Sequence, residues 1–362
     1  LPILSIAAIF AFVSGALAAT VPADVAGVYG GLVVQLGASE TSLPIRLSQT
    51  GRFIVHTLDA EPAKIEAARK AIGDGGHYGL SSAELIERDG KLPYAENLVN
   101  LVVIRELAAP LSEIIRIMTP EGTVVATQSS NVTKETLKSA GFTLIATASF
   151  NGGEKALIAR KPWPGDMDTW SHPRHAADGN AVSKDTIVGP PERVRWVAAA
   201  TSEVEGMVTA GGRNFYGGLL ARDSFNGLRL WHNDLRKGEL DSADFDFPRL
   251  SRDYARPIAS SKRLFAVVKG TLVALNAATG IVEVEYPGVT RPRQLVHHEN
   301  LVIASDEKAA RAFDVATGKE LWNFEGVGIR NLVAGYGIAS LTHGNPKRGV
   351  KIEAVAIDLK TG

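Results

Sequence analysis

The feature that most restricts how this chain can fold is a short segment that keeps returning. Its fullest copy is Ala312-Phe313-Asp314-Val315-Ala316-Thr317-Gly318-Lys319-Glu320-Leu321-Trp322. Residues 274–280 and 356–362 are close variants, and residues 221–231 are a divergent first copy. The turn glycines Gly227, Gly280, Gly318 and Gly362 stand 53, 38 and 44 residues apart. That spacing suits a four-stranded sheet repeated around an axis, with each copy reading as strand, turn, strand. The Asp or Asn of each copy can accept backbone hydrogen bonds across the turn, and the glycine tolerates positive φ. The tryptophan predicts packing between neighbouring repeats.

Ahead of the repeats the pattern changes. Leu32-Val33-Val34-Gln35-Leu36-Gly37 is an apolar run stopped by glycine, and a second run, 53–59, ends on Asp59. Pro62 opens a helix that carries Ile65, Ala68 and Ile72 on one face. Residues 98–104 read as a third clear apolar strand and 111–118 as an amphipathic helix. Thr119-Pro120-Glu121-Gly122 reads as a break before a strand over 123–127. A helix over 133–140 and a closing hairpin, 142–148 with 155–160, complete the unit. Strand alternating with helix predicts a doubly wound, Rossmann-like layer. The expected fold is multidomain: an α/β domain over 24–162, a linker and lead-in over 163–206, and an incomplete all-β propeller over 207–362.

Composition narrows the function classes. Lys plus Arg and Asp plus Glu number 39 each, so the net charge is zero and nothing points specifically to nucleic acid. The chain has no cysteine, which excludes disulfides, thiolate metal sites and cysteine nucleophiles. Residues 1–19 form an apolar run containing the small-x-small pattern Ala16-Leu17-Ala18. The run is short for a spanning helix and reads as a signal-peptide core truncated at its start, with an uncleaved anchor as the alternative. Export to the periplasm or cell envelope is the expectation, and no other membrane contact is predicted.

Two resemblances follow. The α/β segment resembles a class I S-adenosylmethionine-dependent methyltransferase domain. Gln35-Leu36-Gly37-Ala38-Ser39-Glu40 stands where that family has its glycine-rich cofactor loop. Asp59 matches the acidic residue that holds the cofactor ribose, and Glu84, in Ser82-Ala83-Glu84, lies near the adenine side. The resemblance thus implies Gly37, Asp59 and Glu84 as cofactor-binding residues. The loop departs from the family, because Ala38, Ser39, Glu40 and Thr41 follow Gly37 where further glycines would admit a ligand. No general base follows the 98–104 strand, where the chain reads Arg105-Glu106-Leu107. Read without the family, Asp59 caps a turn and Gly37 tightens one. The repeats, in turn, resemble the pyrroloquinoline-quinone-type (quinoprotein-like) propeller repeat. That repeat builds quinoprotein dehydrogenases and also scaffolds such as the outer-membrane assembly lipoprotein. The pairing of the two parts resembles planctomycete-type exported proteins.

Lys161-Pro162-Trp163-Pro164-Gly165 marks the boundary between the parts. His172, His175 and Asp178 beyond it are of the types that ligate zinc, copper or iron. Pro173 opposes a helical presentation and no further ligand stands nearby, so the expectation is a hydrogen-bonded loop, Trp170 packed on the propeller, and no metal site. A quinone site needs cations for its carboxylates, a calcium ion and a catalytic carboxylate. Arg213, Arg222 and Arg256 are candidate anion contacts but do not complete that set, and His297-His298 reads as a strand end. The sequence therefore predicts a non-catalytic binding or scaffold module with a degenerate methyltransferase-like domain and no assigned cofactor. Its propeller face would take a protein or small-molecule ligand. One alternative is a quinoprotein oxidoreductase using pyrroloquinoline quinone and calcium, completed by further blades. The other is an active methyltransferase using S-adenosylmethionine. The repeats stop at Gly362, short of a closed ring, so the chain reads as an N-terminal piece of a longer protein.

Overall fold

The computed structural model describes residues 27–88, 90–150, 154–190, 194–198, 206–236 and 255–362. The expected leader, 1–19, lies outside the described residues.

The first sheet contains β1 (Gly31–Leu36), β2 (Phe53–Asp59), β3 (Ser81–Leu85), β4 (Val99–Ile104), β5 (Met118–Thr127), β6 (Thr143–Phe150) and β7 (Glu154–Arg160). Its order is β3-β2-β1-β4-β5-β7-β6. Strands β1 to β5 are parallel, and β7 runs antiparallel to both β5 and β6. Helices α1 (Ser42–Gln49), α2 (Pro62–Asp74), α3 (Leu111–Ile117) and α4 (Lys134–Ser139) accompany it. Val34, Leu36, Val102 and Ile104 pack with Ile114 and Ile117, while Val33, Val55 and Leu101 pack with Leu43 and Leu47. Burial on both faces explains why the central strands read as unbroken apolar runs. The sheet order reverses between β1 and β4, the point beyond which such sheets bind ligands.

The third clear apolar run, 98–104, is the fourth strand of the sheet, because Ser81–Leu85 pairs in parallel with β2 ahead of it. As the outermost strand, β3 leaves Glu84 and Leu85 exposed and so lacks an apolar run. The helix ends at Ile117, ahead of Thr119-Pro120-Glu121-Gly122, but the strand expected over 123–127 starts earlier: the segment lies inside β5, which shifts register against β4 between Val99 and Leu101. Glu121, at φ 64°, marks the irregularity that lets a proline sit in this strand.

Beyond the junction come four antiparallel meanders. The first is β8 (Val208–Ala210), β9 (Arg213–Tyr216), β10 (Leu220–Asp223) and β11 (Arg229–His232). The second is β12 (Ile258–Ala259), β13 (Arg263–Val268), β14 (Thr271–Asn276) and β15 (Val282–Tyr286). The third is β16 (Gln294–His298), β17 (Leu301–Ser305), β18 (Ala309–Asp314) and β19 (Glu320–Glu325). The fourth has three strands, β20 (Arg330–Gly335), β21 (Ile338–Asn345) and β22 (Val350–Asp358). The leading strands β8, β12, β16 and β20 lie beside one another, and apolar clusters join each neighbouring pair of sheets. This is the blade packing of a propeller.

One turn geometry recurs in all four blades. Oδ1 of Asp223, Asn276, Asp314 and Asp358 accepts the backbone N–H groups two and three residues on, at 2.8–3.1 Å. Gly227, Gly280, Gly318 and Gly362 each donate to the carbonyl four residues back, at φ 71–74°. Trp231, on β11, lies over Gly280 and donates Nε1–H to Ala277 O at 2.9 Å. Trp322, on β19, does the same over Gly362, donating to Leu359 O at 3.0 Å. Trp196, ahead of the first blade, covers Gly227 and donates to Ser224 O at 3.2 Å. The second blade carries Val284 at this position, and Gly318 is covered by Val284 and the Glu285 carbonyl.

Candidate functional site

Of the three residues that the family resemblance implies for cofactor binding, Gly37 and Asp59 stand together where β1 and β2 end, beside the end of β4. Gly37 turns the chain at φ 96° and donates to Leu58 O at 2.8 Å. A Cβ at Gly37 would stand 3.0 Å from Arg105 Cβ and Glu106 N, so the glycine permits close approach of the loop after β4. Asp59 is 2% exposed. Its Oδ2 accepts Ala38 N–H at 2.8 Å and its Oδ1 accepts Glu61 N–H at 2.9 Å. Both oxygens thus tie down the loops after β1 and β2.

Glu84 does not join this pair. Its carboxylate meets His56 Nε2 at 3.2 Å, and His56 Nδ1 meets the Tyr94 hydroxyl at 2.5 Å. Burial lowers the His56 pKa against the pull of Glu84 and raises that of Tyr94. The structure therefore brings Gly37 and Asp59 together and turns Glu84 to a separate chain of polar groups.

The start of α1 has its own anion. Glu40 Oε1 accepts Ser42 N–H at 2.5 Å and Leu43 N–H at 3.1 Å. Glu40 Oε2 meets Arg105 Nη2 at 3.2 Å, and Arg105 Nη1 reaches Glu154 on β7 at 2.6 Å. The Arg105 side chain is only 10% exposed. Beside it, Glu106 pairs with Lys64 at 3.0 Å and with Arg88 at 3.1 Å. Hydrogen bonds from Lys64 and Arg88 lower the Glu106 pKa. Helix starts attract anionic ligand groups through free N–H groups and the helix dipole. Here Glu40 fills that role from within the chain. The Glu40–Arg105–Glu154 bridge escaped the sequence reading because its members come from three loops and strands far apart in the chain.

At the junction, His172 Nε2 accepts His297 N–H at 3.0 Å, and its Nδ1 meets Ser171 Oγ at 2.8 Å. Burial brings the pKa of both His172 and His297 down to about 4. His175 Nε2 meets Asp168 Oδ2 at 2.7 Å. Burial alone would raise the Asp168 pKa, but N–H groups of Lys184 and Thr169, with His175, hold it at about 2. Asp178 accepts Asn180 N–H at 3.0 Å. Among the described residues no cluster of three or more metal-type ligands occurs. The Trp170 backbone pairs with Thr209 on β8, and its ring meets His175 edge-on at 5.3 Å. Arg222 donates to Gly227 O at 3.0 Å.

The strand order and the antiparallel β7 give the N-terminal part a methyltransferase-like α/β fold. It is similar to a Methanococcus maripaludis protein described as an S-adenosyl-L-methionine-dependent methyltransferase, at 17% identity and TM-score 0.33, over 39% of this chain and 82% of that one. A SAM-dependent methyltransferase of Aquifex aeolicus is similar at 17% identity and TM-score 0.31, over 37% of this chain and 84% of that one. No curated protein matches the chain in sequence. The family described as outer membrane protein assembly factor BamB matches residues 176–324 and, overlapping them, 216–362, together more than half of the chain. With four recurrent turns and stacked antiparallel blades beneath that match, the chain belongs to this BamB family of quinoprotein-type repeat proteins.

Proposed function

We propose that this protein is an exported binding or scaffold module of the cell envelope, whose α/β domain retains a methyltransferase-like fold without its cofactor chemistry. The observation that carries the reading is the Glu40–Arg105–Glu154 bridge across the start of α1. S-adenosylmethionine fits these residues poorly. The helix start is already neutralised by Glu40, and both Asp59 oxygens are engaged by backbone. Asp59 is 2% exposed, so a ribose hydroxyl would reach its remaining acceptor sites only by displacing the loops packed around it. Export rests on the apolar run 1–19, and the BamB family match is in keeping with an envelope setting. Among the described residues no helix is long and apolar enough to cross a membrane. The propeller face is then the surface for a protein or small-molecule partner.

Calorimetric titration of the folded chain with S-adenosylmethionine tests the reading. The expected result is no saturable heat up to millimolar ligand. Near-stoichiometric binding with a dissociation constant of order 10 micromolar, about −7 kcal/mol, would overturn it.

A further inference from the structure

A cleft of about 600 Å³ lies between the α/β sheet and the first two blades. Arg160 at the end of β7, Arg213 at the start of β9 and Lys262 before β13 all line it. Among the described residues none of these three forms an ion pair. Arg160 donates to Glu121 O at 3.1 Å and Arg213 to Gly211 O at 3.1 Å, which leaves most of each guanidinium fork unengaged.

Two carboxylates share the cleft, Glu121 and Asp223. Asp223 is 4% exposed, and its oxygens already accept Phe225 N–H, Asn226 N–H and the Asn100 amide at 2.7–2.9 Å. Burial raises the Asp223 pKa. Burial also lowers the Arg213 pKa; Asp223 and Glu121 oppose that, while Arg160 adds to it. Arg160, Arg213 and Lys262 outnumber the carboxylates Glu121 and Asp223 along the lining, so the cleft carries an excess of positive charge that suits an anion. Trp163 and Phe225 add apolar wall, their rings edge to face at 6.3 Å. A second hollow of about 660 Å³, lined also by Glu283 and Glu299, shares Tyr29, Ser261 and Lys262 with the cleft, and the cleft itself has room for more than a simple ion.

We propose that this cleft between the domains binds a small organic oxyanion, a carboxylate or phosphate ester, held by Arg213 and Arg160 with its body against Trp163 and Phe225. The proposal stands apart from the state of the methyltransferase-like crevice, because Glu40, Arg105 and Glu154 do not line the cleft.

The test is calorimetry and thermal melting of the full chain at constant ionic strength. Inorganic phosphate and malonate are titrated separately, against sodium chloride as the control. At least one oxyanion should bind saturably and raise the melting temperature beyond the chloride control. Arg213→Gln should weaken that binding by about tenfold or more. Arg160→Gln, on the opposite wall, should give the same loss and serves if the first variant does not fold. Preference for phosphate assigns a phosphoryl ligand, and preference for malonate a carboxylate. Absence of saturable binding by both anions, or undiminished binding in a folded variant, overturns the proposal.

Discussion

A carboxylate at the end of a parallel strand can hold a ligand or hold the chain, and hydrogen bonds decide between the two. Asp59 binds Ala38 N–H and Glu61 N–H, one with each oxygen, at a position almost without solvent. Asp59→Ala would strand both donors and is expected to cost about 2–3 kcal/mol, read as a lower urea midpoint. A residue whose only task was to hold a cofactor would leave the midpoint unchanged. Gly37 and Asp59 were legible in the sequence because each follows an apolar run that fixes its place. The turn of Glu84 toward His56 was not, because it depends on an edge strand with no hydrophobic signature. Nor was the Arg105 bridge, whose partners lie 65 and 49 residues away.

The repeat turns show the same principle in an element, where backbone conformation and an aromatic cover act together. Gly280 and Gly349 both sit at φ 73°. An added Cβ at Gly280 would come within 2.5 Å of the Trp231 indole, while at Gly349 it would meet nothing within 4 Å. Gly349→Ala should therefore cost only the left-handed backbone, about 1–2 kcal/mol. Gly280→Ala should cost roughly 2 kcal/mol more by displacing the indole. Equal losses in chemical denaturation would show that the indole does not set the geometry of the turn. The blades were readable from sequence because the Asp or Asn, the glycine and the tryptophan lie within one local stretch. Strand β3 and the proline-bearing start of β5 were not, since their pairing is imposed by neighbours rather than by their own pattern.

At the scale of the whole molecule, the two parts meet through amides. Asn100 on β4 accepts Leu32 N–H at 2.8 Å and the Asn226 amide at 2.8 Å, and it donates to Asp223 at 2.7 Å. Asn226 also donates to Leu98 O at 2.9 Å, so the first repeat turn is fastened to the α/β sheet. Gly31 makes room for this, since a Cβ there would stand 2.1 Å from Asn100 Oδ1. Asn100→Ala is expected to cost about 2–3 kcal/mol and to split unfolding into two calorimetric transitions. A single unshifted transition would mean that the seam contributes nothing to cooperativity. These contacts join residues more than 120 positions apart, and no periodicity announces them. The tryptophan covers carry a different implication. Trp196 precedes Gly227, Trp231 precedes Gly280 and Trp322 precedes Gly362, so each indole comes earlier in the chain than the glycine it covers. When the chain emerges from its amino end, the cap for each of these turns is therefore already out when the turn follows. Docking of those turns can proceed from the amino end onward without waiting for later chain.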